Sequence, residues 1–288
     1  MTNEEVFSAV TEALQRGEPA ALVTIIRTQG STPQRVGAKM LVFADGRTIG
    51  TIGGGCYEND AFWKARRAIE TRHPLVARYE LSDDFVEESG LICGGQMEVY
   101  IEPLEPAPHL YLVGAGHVSF HVARLAFGVG FRVHVIDDRD KYANAERFPD
   151  AIEIVVDAIP DWLNRATLPS SAYAVILTRG HRHDLDALRE LAKHDLRYLG
   201  LIGSRAKVAR LYDALQGEAL PDQLRRVHAP VGLDIGAISP QEIAVSIVAE
   251  LIAVKYGKIA GAGGDQQAVR SLRWTPLSLQ NAAVTTED

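Results

Sequence analysis

The sequence contains few cysteines, only Cys56 and Cys93 in 288 residues. One bridge in a chain of this length would not be a disulfide framework. We therefore expect a reduced, cytoplasmic protein. Its two thiols are then either buried and inert or used in chemistry.

The sequence also lacks an apolar run of the roughly 20 residues that a membrane-spanning helix needs. Its first ten residues include Glu4 and Glu5 and no basic stretch, so no signal peptide is predicted. Positive charge is not in excess, because 30 Lys and Arg face 37 Asp and Glu. We therefore expect no nucleic-acid partner, since such binding depends on phosphate neutralisation. The 47% hydrophobic and 23% charged residues predict an ordinary globular protein.

The first region, residues 1–106, is predicted to be a small α+β domain. Thr2 and Glu5 form the capping-box pattern that begins a helix. Asp45-Gly46 lies between two short apolar stretches and is a strong two-residue hairpin signal. Three prolines between residues 102 and 109 cannot donate to a sheet, so we place the domain boundary there.

The second region, residues 107–259, alternates strand and helix patterns, which predicts a parallel sheet of the Rossmann type. Gly114, Gly116 and Ser119 follow a strand and precede a helix, and Asp137 ends the next strand. In a nucleotide-binding turn, the glycines let backbone N–H groups reach a phosphate at the helix N-terminus. The acid binds a ribose hydroxyl in that scheme.

Two features depart from the dinucleotide pattern. Ser119 replaces the third glycine, and the bulky His117 follows Gly116. We favour a phosphate-bearing cofactor over a turn that binds nothing. Because of the two departures, NAD is not singled out as that cofactor.

Polar loops follow the later strands and should lie at the same edge of the sheet. The segment 203–207 offers a hydroxyl and two cations, including Ser204 and Arg205, and predicts an anion pocket. The alternative is a solvated helix face. His181 with Asp184 could form an acid–base pair or a ligand pair, although so short a cluster is a weak metal signal.

The first region carries a second unusual loop, Gly53-Gly54-Gly55-Cys56. Consecutive glycines cost conformational entropy and are typical of close backbone approach, or of a tight β-to-α turn. Cys56 then lies at a helix N-terminus, a location that favours the thiolate. Cys93 is likewise followed by two glycines. The alternative for each thiol is a small buried apolar side chain.

Near the end, residues 240–256 predict a helix that is apolar almost all round, typical of a buried core or a subunit interface. Residues 260–288 show little periodicity and are predicted to be a C-terminal tail.

Nine stretches between Gly30 and Ile252 together resemble the XdhC/CoxI family of xanthine dehydrogenase accessory proteins. They are GSTPQRVGAKM, GTIGGGCYE, CGGQMEVYIEPL, VGAGHVSFHVARLA, VIDDR, RFPDA, TRGHRHD, LIGSRAK and PVGLDIGAISPQEIAVSIVAELI. The resemblance implies a maturation factor rather than an enzyme. Such a factor binds the molybdenum cofactor, a phosphate-bearing pterin dithiolene, and helps to sulfurate it and insert it into a molybdenum hydroxylase.

The resemblance also implies a cysteine desulfurase partner and a homodimer. It makes Cys56 and Cys93 candidate cofactor contacts and metal ligands, and Gly114 and Gly116 the phosphate cradle. The candidate cofactor-binding residues are Cys56, Cys93, Gly53, Gly54, Gly55, Gly114, Gly116, His117, Asp137, His181, Ser204 and Arg205.

Two other functions stay open at this point. One is an NAD(P)-dependent oxidoreductase with His117 or His181 as its acid–base group, a scheme that leaves the glycine–cysteine region without a role. The other is a sulfurtransferase or redox protein that turns over through Cys56 and Cys93.

Overall fold

The computed structural model describes residues 2–80, 95–215, 218, 221–259 and 269–274. The chain forms two compact units, Met1–Ala107 and Pro108–Asp288. None of the helices in these described ranges is both long and apolar enough to cross a membrane.

The first unit is an antiparallel sheet with two helices. Its elements are α1 (Asn3–Arg16), β1 (Ala20–Gln29), β2 (Lys39–Phe43), β3 (Thr48–Gly50), α2 (Gly55–Thr71), β4 (Leu75–Glu80) and β5 (Gln96–Leu104). The strand order is β3-β2-β1-β5-β4. This confirms the predicted α+β class.

Local signals explain where these elements begin and turn. Thr2 Oγ1 accepts a hydrogen bond from the Glu5 N–H, and the Glu5 carboxylate accepts one from the Thr2 N–H at 2.8 Å, the predicted capping box. Gly46 has φ 95° between β2 and β3, which pair antiparallel. The Asp45-Gly46 hairpin is therefore confirmed.

The two helices of the first unit pack on separate apolar clusters. Helix α2 packs Ala61 and Ala65 against β1 side chains that include Val23. Helix α1 packs Val6 in a second cluster that includes Leu22. Because Leu22 and Val23 are successive residues of a strand, they point to opposite faces of the sheet.

The second unit is a parallel sheet with helices. Its elements are β6 (His109–Val113), α3 (His117–Gly128), β7 (Arg132–Asp137), β8 (Glu153–Val156), α4 (Ile159–Arg165), β9 (Tyr173–Ile176), α5 (His181–Leu191), β10 (Tyr198–Leu201), α6 (Arg205–Ala214), α7 (Pro221–Arg226) and α8 (Pro240–Lys255). The order is β10-β9-β6-β7-β8, and His228 adds a parallel bridge to Gly200.

This strand order is that of a doubly wound Rossmann sheet, in which ligands bind beyond the carboxyl ends of the strands where the order reverses. Here the reversal lies between β6 and β9, which are hydrogen-bonded neighbours. Helices α3 and α8 pack in one apolar cluster and α4 to α6 in another. The predicted Rossmann-like domain is confirmed.

Residues 269–274, which fall within the segment expected to be a tail, run beside residues 229–234. Leu233 and Ser271 form an antiparallel bridge. The Leu272 N–H donates to the Gly232 carbonyl at 2.8 Å, and the Trp274 N–H donates to the Ala229 carbonyl at 2.9 Å. This segment therefore extends the edge of the second sheet.

A hydrogen-bonded pair of histidines crosses three strands of the second unit. His109 Nδ1 lies 2.8 Å from His134 Nε2, and His134 Nδ1 lies 2.8 Å from Glu153 Oε2. The Tyr111 ring stacks on His134 at 4.2 Å. Burial lowers the pKa of both imidazoles, nearby Arg132 lowers it further, and Glu153 only partly offsets this for His134.

We expect the second unit to lose stability as the pH falls from 7.5 to 5.5. The folded-state pKa values lie below the ordinary value of 6.5, so the unfolded chain takes up protons first as the pH drops. Each ring can contribute at most ~1.4 kcal/mol per pH unit, the slope for one full proton. Urea unfolding of the variant H109Q/H134Q should show a flatter pH dependence, whereas H121Q on α3 should behave as wild type. An unchanged slope in H109Q/H134Q would contradict this.

Candidate functional site

The glycine turn after β6 begins at a position that only glycine can occupy. Gly114 has φ 112°, and a Cβ there would lie 2.4 Å from the Leu177 carbonyl oxygen at the end of the neighbouring strand. The buried Ser119 hydroxyl donates to the Gly114 carbonyl. Ser119, at the position of the third fingerprint glycine, therefore holds the turn in place.

Two other glycines at this edge are not required by the fold. Gly116 precedes α3 with φ −69°, and Gly180 precedes α5 with φ −177°, conformations open to any residue. A Cβ at either position would meet open space, and no side chain caps either helix. The first N–H groups of such a helix have no intrahelical acceptor, and its dipole favours an anion.

These two helices follow the strands on either side of the reversal point. Helix α3 leaves β6 and packs in one apolar cluster, whereas α5 leaves β9 and packs in the other. Each begins with an exposed histidine, His117 and His181, after its glycine. The structure thus places three predicted residues, Gly116, His117 and His181, at two uncapped helix N-termini of the same sheet edge.

Asp137 is placed at this edge, but its carboxylate is already bonded within the chain. It accepts from the Ala115 N–H at 2.7 Å and from Arg139 Nε and Nη2 at 2.8 and 2.9 Å. Burial opposes ionisation, but these hydrogen bonds outweigh it and lower the pKa of Asp137. A carboxylate held in this way is not presented to a ribose hydroxyl.

Sequence reasoning missed Arg147 as a site residue. Its Nη1 donates to the Ala115 carbonyl at 3.2 Å and to the Tyr142 carbonyl at 3.3 Å. Its guanidinium also lies over the Phe120 and Tyr142 rings, and among the described residues it forms no ion pair with a carboxylate. A cation uncompensated by any described carboxylate thus adjoins the glycine turn. The only sequence signal for it was its place in the RFPDA stretch.

The loops after β9 and β10 are linked by a buried carboxylate. Asp184 accepts from the Thr178 hydroxyl at 2.7 Å and lies 2.6 Å from Lys207 Nζ. Its described contacts are with these two groups, while His181 is exposed. Arg179 pairs with Asp138 at 2.8 Å and so joins the loops on either side of the glycine turn.

The predicted anion pocket after β10 is partly used for helix capping. The Ser204 hydroxyl accepts from the Lys207 N–H at 3.3 Å and is the N-cap of α6. Arg205 is the first residue of that helix and is exposed. The Ser204 hydroxyl is therefore used as a helix cap, whereas Arg205 is an exposed cation at the start of the same helix.

In the first unit the three glycines enclose a carboxylate of their own chain. Glu58 Oε2 accepts from the Ile52, Gly53 and Gly54 N–H groups at 2.8, 3.2 and 3.0 Å, and from the Thr51 hydroxyl at 2.5 Å. The three glycines have φ between 77° and 126°. The Gly53 and Gly54 N–H groups are therefore engaged by Glu58, and the loop is a tight β-to-α turn.

This loop presents Cys56, which is the second residue of α2, exposed and not in a disulfide. Cys93 and its candidate role lie outside the described residues. Gly95, two residues after it, approaches the Ser31 carbonyl so closely that a Cβ would lie 2.3 Å away. A Cβ on Gly53 would lie 2.7 Å from Pro33. The loop that contains Ser31 and Pro33 therefore lies against both Gly53 and Gly95.

In the part of the chain that the structure describes, no group of three His, Cys, Asp or Glu side chains is placed to hold a metal ion. A metal-binding role for Cys56 therefore stays a prediction.

The chain thus combines an antiparallel α+β unit with a Rossmann unit in which two helices begin after a glycine and lack a side-chain cap. A family profile described as the XdhC Rossmann domain matches residues 110–251, and that of the XdhC and CoxI family matches residues 13–80. The chain belongs to the XdhC and CoxI family.

Three relatives illustrate the similarity. Escherichia coli YqeB, an uncharacterised protein, is 33% identical over 89% of this chain, which spans only about half (47%) of YqeB. The crystal structure of a protein described as a xanthine dehydrogenase from Bacillus halodurans is 26% identical, with a TM-score of 0.50 and coverage of 93% of this chain and 99% of that one. The E. coli molybdenum cofactor insertion chaperone PaoD is 22% identical over 87% of this chain and 88% of PaoD.

Proposed function

We propose that this protein binds the molybdenum cofactor and helps to deliver it to a molybdenum hydroxylase of the xanthine dehydrogenase type. Family membership and the similarity to PaoD support this class of role. The single observation that carries it is the pair of helices that begin after Gly116 and Gly180. Neither helix has a side-chain cap, and a Cβ on either glycine would meet no atom within 4 Å.

The anionic end of the cofactor fits this edge of the second unit. The N–H groups at the start of α3 would hold its phosphate, as helix N-termini hold anions elsewhere. Arg147 adds positive charge next to the same turn through its contact with the Ala115 carbonyl. His117 and His181 begin the two helices and are proposed to contact the pterin or its phosphate.

The soft end of the cofactor fits a thiolate. Cys56 is exposed on a loop that Glu58 fixes with four hydrogen bonds, so its thiol is presented from a stiff support. Thiolates prefer soft metals and sulfur. Cys56, with Cys93, is proposed to contact the molybdenum or its sulfur ligand. The bound cofactor supplies the molybdenum–sulfur chemistry, while the residues of this chain bind, orient and shield it.

The same geometry weakens the dehydrogenase alternative. The acid that reads a ribose diol in NAD enzymes corresponds here to Asp137, whose carboxylate is held by Arg139 and the Ala115 N–H. We therefore expect no saturable binding of NADH at micromolar concentrations. Tight NADH binding followed by oxidation with a small carbonyl compound would favour the oxidoreductase instead.

Delivery requires partners, and we propose a molybdenum hydroxylase client, a cysteine desulfurase that supplies the sulfur, and a homodimer. Co-purification from cell extract tests the first two, and analytical ultracentrifugation tests the third.

We expect C56S to retain at least about tenfold less cofactor than wild type, because a serine hydroxyl is a poor ligand for a soft metal. The measurement is molybdenum and pterin per protomer after desalting. The matched control is N59S, an exposed position of the same helix three residues away. Equal retention by C56S and N59S would remove Cys56 from the site. Accumulation of a persulfide on Cys56 that is passed on catalytically would favour the sulfurtransferase alternative.

A further inference from the structure

A polar cleft lies at the end of the Rossmann sheet opposite to the glycine turn. It has a volume of about 90 Å³ and is lined by His194, Leu196, Arg197, Tyr198, Gln223 and Arg226, among others. Tyr198 is the first residue of β10, whereas the glycine turn follows the last residue of β6. Because the strands are parallel, the cleft lies at their amino ends, away from the proposed cofactor site.

Arg197 is held in position without a described carboxylate. Its Nε donates to the Tyr173 hydroxyl at 2.7 Å and its Nη2 donates to the Lys255 carbonyl at 3.1 Å. Both acceptors are uncharged, and among the described residues Arg197 forms no ion pair with a carboxylate. The charge of Arg197 is thus oriented by the fold but not neutralised by it.

The other polar groups of the cleft come from two further elements. Arg226 and Gln223 belong to α7, and His194 lies in the connection between α5 and β10. Arg226 pairs with Asp195 at 2.7 Å, but both side chains are mostly exposed (54% and 82%), so that pair is weak and exchangeable. The cleft therefore carries several hydrogen-bond donors, of which Arg226 is paired with the exposed Asp195.

We propose that this cleft binds a small oxyanion, such as inorganic phosphate or the carboxylate of a small metabolite. Its volume exceeds that of a single water site, and an arginine fork fixed on one side recognises oxyanions in two-pronged fashion on the other. The Tyr198 ring provides an apolar wall beside the charge. This site is independent of the cofactor site.

The test is a titration of the full-length protein with sodium phosphate, and separately with sodium acetate, at constant ionic strength balanced with sodium chloride. Backbone amide NMR shifts are followed for residues 192–199 in the cleft and 114–118 in the glycine turn. We expect saturable shifts in the cleft, and the anion with the lower Kd identifies the preferred chemistry. Both R197Q and R226Q should raise that Kd at least about tenfold. R225Q, on the same helix but paired with Asp222, should leave it unchanged.

R226Q tests the site without disturbing the contacts of Arg197. Arg226 is exposed, and in its absence Arg197 still donates to the Tyr173 hydroxyl and the Lys255 carbonyl. Shifts confined to residues 114–118, shifts that never saturate, or wild-type affinity in both R197Q and R226Q would overturn the proposal. None of these results depends on the molybdenum cofactor.

Discussion

The variant G116D is expected to lose cofactor retention by about 100-fold or more while its stability stays the same or rises slightly. An aspartate at this N-cap would accept from the free N–H groups of α3, a favoured arrangement worth a few tenths of a kcal/mol over glycine. It would also place a negative charge where the anionic ligand is proposed to lie. Repulsion at ~4 Å near a protein surface is of the order of 4 kcal/mol.

G116A is the matched control, since Gly116 has an ordinary φ and open space above it. Its effect on retention should be small compared with that of G116D. Molybdenum and pterin per protomer, with urea unfolding of each variant, provide the two readouts. If G116D keeps the cofactor as well as G116A does, the helix N-terminus is not the anion site.

The substitution E250Q is expected to destabilise the protein by about 3 kcal/mol. The buried Glu250 carboxylate accepts from the Tyr198 hydroxyl at 2.5 Å, the Gly232 N–H at 2.8 Å and His228 Nδ1 at 3.2 Å, and also from Ser271. Burial opposes its ionisation, but these partners lower the pKa of Glu250, whereas burial and Glu250 raise that of Tyr198. An amide supplies N–H groups where acceptors are needed, leaving buried donors unpaired.

Urea unfolding at neutral pH measures this effect, and E190Q is its control. Glu190 pairs with Lys193 at 2.8 Å on the outer side of α5, where loss of the pair should cost under ~1 kcal/mol. A change in E250Q as small as that in E190Q would show that the network adds little to stability.

Local chemistry made much of the fold predictable. The Thr2–Glu5 capping box, the Asp45-Gly46 hairpin and the strand–Gly114–helix turn each depend on residues a few positions apart. Their conformations follow from short-range sterics and hydrogen bonding, which a sequence displays directly. The alternation of strand and helix patterns in residues 107–259 then predicted a parallel sheet.

The site was only partly predictable from the sequence. Some of its contacts join residues far apart in the chain, and others pair predicted ligand-binding groups with neighbouring residues of the same chain. Arg139 neutralises Asp137 from two positions away, a contact that the dinucleotide pattern does not anticipate. Glu58 fills the glycine loop that suggested a ligand. Arg147 reaches the Ala115 carbonyl from 32 residues away.

Long-range pairing also hid the role of the last helix and the segment beyond it. The pattern of α8 is apolar almost all round, which masks Glu250 as a single acid in a buried stripe. Ser271 bonds to Glu250 from 21 residues away and lies in the edge segment 269–274. Only the folded sheet edge brings these groups together.

Purification of the full-length protein under anaerobic conditions from cells that make molybdenum cofactor tests the central claim most directly. We predict close to one molybdenum and one pterin per protomer in wild type, with both strongly reduced in G116D and in C56S. A wild-type protein that carries neither molybdenum nor pterin, prepared beside PaoD that carries both, would contradict the account.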